Sequence, residues 1–391
     1  MKVLIIGGMG IIGGAITEAA TRKGYEVYVL SRRKPFGKWC DLPVTYIQGD
    51  WLDDIFANSV VSQFFDVIVD TRVFSTKQIK RSVKIVNNHC NQYIYISTDS
   101  VYAHPGNQVS ENSKIDIREV KWKYGLGKLK AEQYLKTHEK EYSFFWTIIR
   151  PTITFGDTRI PVGFSSKRNT YNLVKRLQNH KPILRFDKPE TKHSLCHTSI
   201  FGEAVTYLFM NKKAAGQAFH ISDNKAYTYD NIFASIENYL GVKGVYIHLP
   251  STAIKPYNKT IYEEMIYDKD PEFILDNSKI KDICPYDFFS MDLDCVIAST
   301  LNNLKDNMKN PQDDDYDKIT DLVLLKKHRY IKDEKERIEV LKYNNSLSKN
   351  EKQSLCLYAI ECKINYIIQE GKRWLRPIKK FFKNFMNKRE N

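Results

Sequence analysis

The sequence predicts an α/β fold in which a parallel sheet is covered by helices on both faces. Three observations predict it. Short apolar runs with many β-branched residues recur at 2–6, 26–30, 44–47, 65–69 and 93–96, each the size of a buried strand. Stretches with helical apolar spacing separate them, which is the pattern of βαβ units. The runs are continuous rather than alternating, so neither sheet face is left to water.

The elements follow in order. Lys2-Val3-Leu4-Ile5-Ile6 reads as the first strand and meets Gly7-Gly8-Met9-Gly10. Ile11 to Lys23 carries Ile12, Ile16 and Ala19-Ala20 on one side and stops at Gly24, a suitable residue just past a helix end. Glu26–Leu30, Val44–Ile47, Phe65–Val69 and Tyr93–Ile96 are the next strands, the second of these ending at Gly49-Asp50. No internal repeat of solenoid length is present.

Composition narrows the class. The 391 residues hold 42% hydrophobic and 27% charged residues, which is globular rather than disordered. Eighteen glycines and 13 prolines are too few for a collagen-like or low-complexity chain. Seven scattered cysteines, an odd number, argue for reduced thiols in a cytoplasmic protein rather than a disulfide scaffold. The apolar start is too short for a signal peptide, and no uninterrupted apolar run reaches the roughly 18 residues a membrane span needs. Sixty Lys+Arg against 46 Asp+Glu leave a net charge of +14 that calls for an anionic partner.

Gly7, Gly10 and Gly13 stand between a strand and a helix at the spacing G-x-x-G-x-x-G. Glycines allow the tight turn and the close approach of a pyrophosphate, while N–H groups at the helix start, at Ile11 and Ile12, face its oxygens. The end of the second strand speaks to the cofactor. An acid there suits the ribose 2′-OH of NAD, and an arginine suits the 2′-phosphate of NADP. The chain reads Ser31-Arg32-Arg33-Lys34, so NADP is expected, with NAD as the alternative and a solvated basic turn as the plain structural reading. Asp50, at the tip of the third strand, can accept from the adenine amino group or cap a helix starting near Trp51.

Ser97-Thr98-Asp99-Ser100 follows the fifth strand, and Tyr124-Gly125-Leu126-Gly127-Lys128 opens a helical stretch reaching Lys136. Tyr124 and Lys128, four apart, share a helix face. A cation there favours the phenolate, so Tyr124 can move a proton near neutral pH. Lys128 can also hold the nicotinamide ribose, and the Thr98 hydroxyl can steady charge on a substrate oxygen.

With these motifs the chain resembles an extended short-chain dehydrogenase/reductase of the NAD-dependent epimerase/dehydratase family. The wording is closest to the branch that includes the chloroplast stem-loop-binding proteins. Further matches are Ile149-Arg150-Pro151, Phe155-Gly156, Cys196-His197-Thr198 and Ala215-Gly216-Gln217-Ala218-Phe219-His220-Ile221. The resemblance implies a Rossmann doubly wound domain over 1–155, completed by 192–225, and an interleaved C-terminal substrate lobe over 156–305. It implies a nucleotide-sugar substrate and chemistry that starts with hydride transfer at a sugar carbon. Asp99 followed by Ser100, where dehydratases of the family carry an Asp-Glu pair, places epimerisation or reduction ahead of dehydration. Asp99 is a candidate substrate contact, with a hydrogen bond to a backbone amide of its own loop as the alternative. In the family the segment holding Arg159 and Arg168 would border the substrate, whose diphosphate suits guanidinium groups. Lys167, Lys175, Arg176, Lys181 and Arg185 lie in the same stretch, with a solvated helix face as the alternative for each. His193, Cys196 and His197 lack a further ligand cluster, so no metal site is expected.

The last ninety residues differ. An acidic linker is expected over 306–318, then helices over Ile319–Lys342 and Lys352–Gln369 within a helical, basic extension, 319–391. Residues 372–391 hold eight basic residues and one acid, and Trp374, Leu375, Ile378, Phe381, Phe382, Phe385 and Met386 form one helical stripe. An aromatic stripe opposed by lysines suits the inner surface of an anionic membrane, with packing on the chain's own body or on a second copy in a homodimer as alternatives. RNA binding and NADPH sensing on a retained dehydrogenase scaffold are the competing functions. Against nucleic acid, basic and aromatic residues interleave in no recognised RNA module.

Overall fold

A computed structural model describes the chain apart from residues 36, 104–107, 157, 166–169, 187, 189, 286, 307–314 and 370–391. Arg168, the basic stripe 372–391 and the middle of the expected acidic linker lie outside the described residues. The chain divides into two compact units. The first comprises Met1–Pro161, Lys192–Ile232 and Glu272–Asn307, and the second Val162–Thr191, Phe233–Pro271 and Met308–Asn391.

The first unit is built on a seven-stranded sheet, parallel throughout. Its strands are β1 (Lys2–Ile6), β2 (Glu26–Ser31), β3 (Thr45–Gln48), β4 (Phe65–Asp70), β5 (Cys90–Ile96), β6 (Phe145–Pro151) and a seventh strand, Gln217–Ile221. The spatial order is β3-β2-β1-β4-β5-β6 and then the seventh strand. Ile5 pairs with Val29 on one side and with Val69 on the other. The strand order therefore reverses between β1 and β4, and doubly wound sheets open their ligand crevice at such a point, beyond the carboxyl ends of the strands. Val3, Leu4, Ile5 and Ile6 are all fully buried, which is why β1 reads as an unbroken apolar run. The sheet confirms the expected α/β Rossmann class.

The helices α1 (Ile11–Arg22), α2 (Asp54–Val60), α3 (Thr76–Val86) and α4 (Lys123–Thr137) connect the strands. α1 ends one residue before the expected Lys23, and Gly24 adopts φ +73° just past it. α2 starts later than a cap at Asp50 would place it. Asp53 caps it, accepting from the N–H groups of Ile55 and Phe56, while the Asp50 carboxylate accepts from Leu52 N at 3.0 Å within a turn. α4 begins five residues ahead of Lys128, so Tyr124 lies in its first turn.

The second unit joins 162–191 and 233–271 to the helices that end the described chain, Asp315–Lys327, Glu334–Ser346 and Lys349–Gln369. The expected single helix from Ile319 to Lys342 is interrupted. A short 3-10 turn at His328–Tyr330 ends the first piece, and Asp333 caps the next by accepting from Glu336 N. Residues 315–318, expected as linker, are already helical. Arg176, taken from sequence as a diphosphate candidate, is buried and structural. It pairs with Asp317 at 3.0 Å and Asp321 at 2.8 Å and donates to the Pro182 carbonyl. Arg185 is likewise buried, against the rings of Phe233 and Tyr246. His248 is tied by Nδ1 to Glu336 at 2.8 Å. No helix among the described residues is long and apolar enough to cross a membrane, and all seven cysteines are free thiols.

Candidate active site

The glycine turn closes on itself. Gly7 has φ +81° and its N–H donates to the Leu30 carbonyl at 2.8 Å, which ties the turn to β2. A Cβ on Gly13 would run into the Gly7 carbonyl, so the first turn of α1 lies directly on the loop, as a phosphate cradle requires. Gly10 is the helix N-cap and offers no side-chain hydrogen bond, so the first-turn N–H groups at Ile11 and Ile12 have no cap. This geometry fits a dinucleotide diphosphate.

Ser31 ends β2, and Arg32 and Arg33 beyond it are exposed. Arg32 lies 3.8 Å from the Asp50 carboxylate, with both side chains about half or more exposed, so the pair contributes little to stability. The Ser31 hydroxyl accepts from Arg33 N at 3.1 Å and shapes this turn.

The Tyr-Lys helix is seated by close backbone approach. A Cβ on Gly125 would collide with the Ser100 carbonyl, so the start of α4 abuts the loop that carries Thr98. Thr98 is buried and its hydroxyl lies 3.1 Å from Ser100 Oγ and 3.2 Å from Asp99 Oδ1. Asp99 is buried too, and its carboxylate accepts from both hydroxyls of this loop. Tyr124 is 37% exposed, with Trp122 and Phe74 beside its ring. Arg159 is half-buried, and its backbone pairs with Gly156 in a tight turn.

Lys128 is strongly perturbed. It is fully buried, with Nζ 4.5 Å from the Phe74 ring centroid and 6.0 Å from that of Tyr124. Its one hydrogen bond among the described residues goes to the Ile96 carbonyl, at 2.8 Å. Burial pulls its pKa down to about 7, against the attraction of Asp70 and Glu132. Asp70 closes β4 fully buried, where it accepts from Ser82 Oγ, Tyr93 Oη and Arg72 N. Burial raises its pKa.

Beyond Lys128 the same helix face turns from open to saturated. Glu132 is buried, and Arg150 grips both its oxygens, Nε at 3.0 Å and Nη2 at 2.7 Å. Burial works against the Glu132 carboxylate, yet the Arg150 guanidinium holds its pKa below the ordinary value. Arg150 also donates to Tyr102 Oη at 2.6 Å, and that oxygen lies 2.8 Å from His220 Nε2. Burial lowers the His220 pKa to about 4, so the imidazole is neutral at pH 7. Asp70, Glu132 and this chain of partners went unread from sequence. The signals were an acid closing an apolar strand, an arginine inside another, and Glu132 one turn past Lys128.

His197, weighed as a metal ligand, caps the helix Thr198–Tyr207 by accepting from Ser199 N. Among the described residues no group of three metal-ligating side chains converges.

Residues 3–222 match the NAD dependent epimerase/dehydratase family. The chain belongs to this family. A plant protein, "Chloroplast stem-loop binding protein of 41 kDa b" of Arabidopsis thaliana, is 25% identical over 246 residues, 59% of this chain and 61% of the relative. The match thus spans less than two thirds of that relative's length. The UDP-glucuronic acid 4-epimerase of Bacillus cereus in complex with NAD aligns over 79% of this chain and 100% of its own, with a TM-score of 0.63 and 18% identity. The same enzyme with UDP-glucuronic acid and NAD aligns over 78% of this chain and 100% of its own, with a TM-score of 0.62 and 17% identity. Likeness at that identity shows the shared fold.

Proposed function

We propose that the chain is an NAD(P)-dependent epimerase or reductase of a nucleotide-linked sugar. The observation that carries this reading is the buried Lys128. Among the described residues it holds one hydrogen bond, with a pKa of about 7, four residues past Tyr124 and on a helix seated against the Thr98 loop. The glycine turn and the first turn of the helix Ile11–Arg22 would hold the dinucleotide, which would supply the hydride chemistry. The chain's own residues do the rest. Thr98 Oγ1 and the Tyr124 hydroxyl hold a sugar hydroxyl, and Tyr124 takes its proton. The Lys128 ammonium favours the phenolate so formed and offers its remaining donors to a ribose. In either reaction, epimerisation or reduction, Tyr124 would give the proton back to the sugar oxygen that Thr98 holds.

Arg32 and Arg33, with no acid at the end of β2, support NADP as the preferred dinucleotide. Asp99 and Arg159 are proposed to border the sugar nucleotide. Half-buried Ile364, Tyr366, Ile367 and Ile368 near the end of the last described helix support a peripheral membrane contact, because their apolar character continues into the basic stripe 372–391. A reporter fused to residues 372–391 is expected to bind anionic vesicles, and a reporter that stays in solution would remove the membrane contact.

The main experiment identifies the nucleotide and sugar nucleotide that co-purify with the protein, then assays that sugar nucleotide for epimer or keto product. Turnover is the expected result. The plant relative's name favours one other reading, RNA binding, which would show as useful affinity for a stem-loop that falls steeply with salt.

A further inference from the structure

The loop after β4 carries a guanidinium that neither the fold nor the Tyr-Lys-Thr set accounts for. Arg72 stands two residues beyond Asp70, at the strand end that neighbours β1 across the point where the sheet order reverses. Its backbone N–H is fixed to the Asp70 carboxylate at 2.7 Å, so the start of the side chain is firmly placed. The stem lies over the glycine turn, with Cδ 3.0 Å and Cγ 3.3 Å from where a Cβ on Gly7 would stand. At its other end the guanidinium sits 5.5 Å from the Phe74 ring centroid, and Phe74 is the ring that also covers the Lys128 ammonium.

Arg72 therefore occupies the interval between the glycine turn and Lys128. Among the described residues its guanidinium has no hydrogen-bond or ion-pair partner, although the residue is half-buried. Arg150 and Arg176, both buried, are handled differently, since each is engaged by a carboxylate. A second, separate observation points to an anion in the same place. The first turn of α1 has neither a side-chain cap nor an acidic residue, so N–H donors meet the unpaired cation across the turn.

We propose that Arg72 is a binding residue for the diphosphate of the dinucleotide, closing the cradle on the side opposite the start of α1. The proposal rests on the dinucleotide site assigned above. A guanidinium there gives charge-assisted, geometrically directed hydrogen bonds to phosphate oxygens. It also accounts for a stripped donor set at the end of β4, because the bound diphosphate completes it. The proximity has an electrostatic side too, since Arg72 is among the charges that lower the Lys128 pKa. A diphosphate neutralising Arg72 removes that repulsion, and dinucleotide binding then favours the charged form of Lys128.

Calorimetric titration of wild type and Arg72→Gln with three probes tests the proposal: ADP-ribose, AMP and UDP. ADP-ribose carries the dinucleotide's diphosphate without the nicotinamide, AMP carries the adenosine without a diphosphate, and UDP carries the diphosphate of a sugar nucleotide. Arg72→Gln is expected to weaken ADP-ribose by about 10- to 100-fold, the size of a lost charged hydrogen bond, and to leave AMP and UDP within about twofold. Arg72→Lys is expected to recover part of the loss, with binding more sensitive to salt. Matching melting temperatures for the variants and wild type exclude misfolding. An unchanged ADP-ribose affinity in Arg72→Gln overturns the proposal, and a loss confined to UDP assigns Arg72 to the sugar nucleotide instead. Wild type that binds neither ADP-ribose nor NADP overturns the dinucleotide site itself, a failure distinct from that of Arg72.

Discussion

The two halves of α4 carry the same stripe of polar side chains and treat them in opposite ways. Tyr124, Lys128, Glu132 and Lys136 recur every four residues, so all four share one face. In the second half, Arg150 takes both oxygens of Glu132, and Lys136 adds a contact at 3.7 Å. In the first half, Lys128 has three donors and uses one among the described residues, while Tyr124 keeps a third of its surface open. A buried polar group left short of partners costs free energy, and Lys128, with one hydrogen bond among the described residues, therefore supports the proposal that this half of the helix receives a ligand. The filled half fixes the helix that presents it.

Several substitutions break this contrast. The largest effect falls on catalysis. Tyr124→Phe is expected to lower kcat about 100- to 10,000-fold, the usual share of a proton-transferring group, while thermal melting stays unchanged. Turnover equal to wild type would remove Tyr124 from the mechanism. Next comes the anchor. Arg150→Met leaves Glu132 buried without its partner and is expected to cost roughly 3–5 kcal/mol in denaturant unfolding. A loss below about 1 kcal/mol would mean that Glu132 finds water or Lys136 instead.

Lys128→Met sharpens the contrast through pH. The Lys128 pKa falls from an ordinary 10.5 to about 7 on folding. Between those values the unfolded chain binds more protons than the folded one, so this group makes stability rise with pH from about 7 to about 10. Removing it is expected to raise the melting temperature most at pH 7 and below, with the gain shrinking towards pH 10. A variant less stable than wild type at pH 7 would show that Lys128 is not short of partners. The smallest effect is at the rim of the site. Arg32→Ala is expected to weaken NADP about tenfold and to leave NAD within about threefold, read by fluorescence titration. Equal losses for both would mean that Arg32 acts on a part the two dinucleotides share.

Legibility followed the same division. β1 was readable because Val3 to Ile6 run as an unbroken apolar segment, all fully buried, and the mostly apolar, β-branched runs of β2 and β4 repeat that signal. The glycine turn and the Tyr124–Lys128 spacing were readable because close backbone approach and helical geometry act over a few residues. Glu132–Arg150 and Tyr102–His220 are joined across 18 and 118 residues, and no local pattern pairs them. Arg176 shows the converse error. Its charge reads as a phosphate contact until the acids of the helix Asp315–Lys327, 141 residues away, are seen to take it. The break near His328 was hidden because the apolar spacing continues on either side, while the cap at Asp333 depends on one side-chain hydrogen bond.

The central claim is that the open half of α4 performs proton transfer coupled to nicotinamide redox chemistry. Rapid mixing of the co-purifying sugar nucleotide with dinucleotide-loaded wild type and Tyr124→Phe, followed by near-ultraviolet absorbance, tests it most directly. The account predicts a reduced-nicotinamide band in wild type that is lost or slowed at least 100-fold in the variant. A band of the same size and rate in both proteins would contradict it.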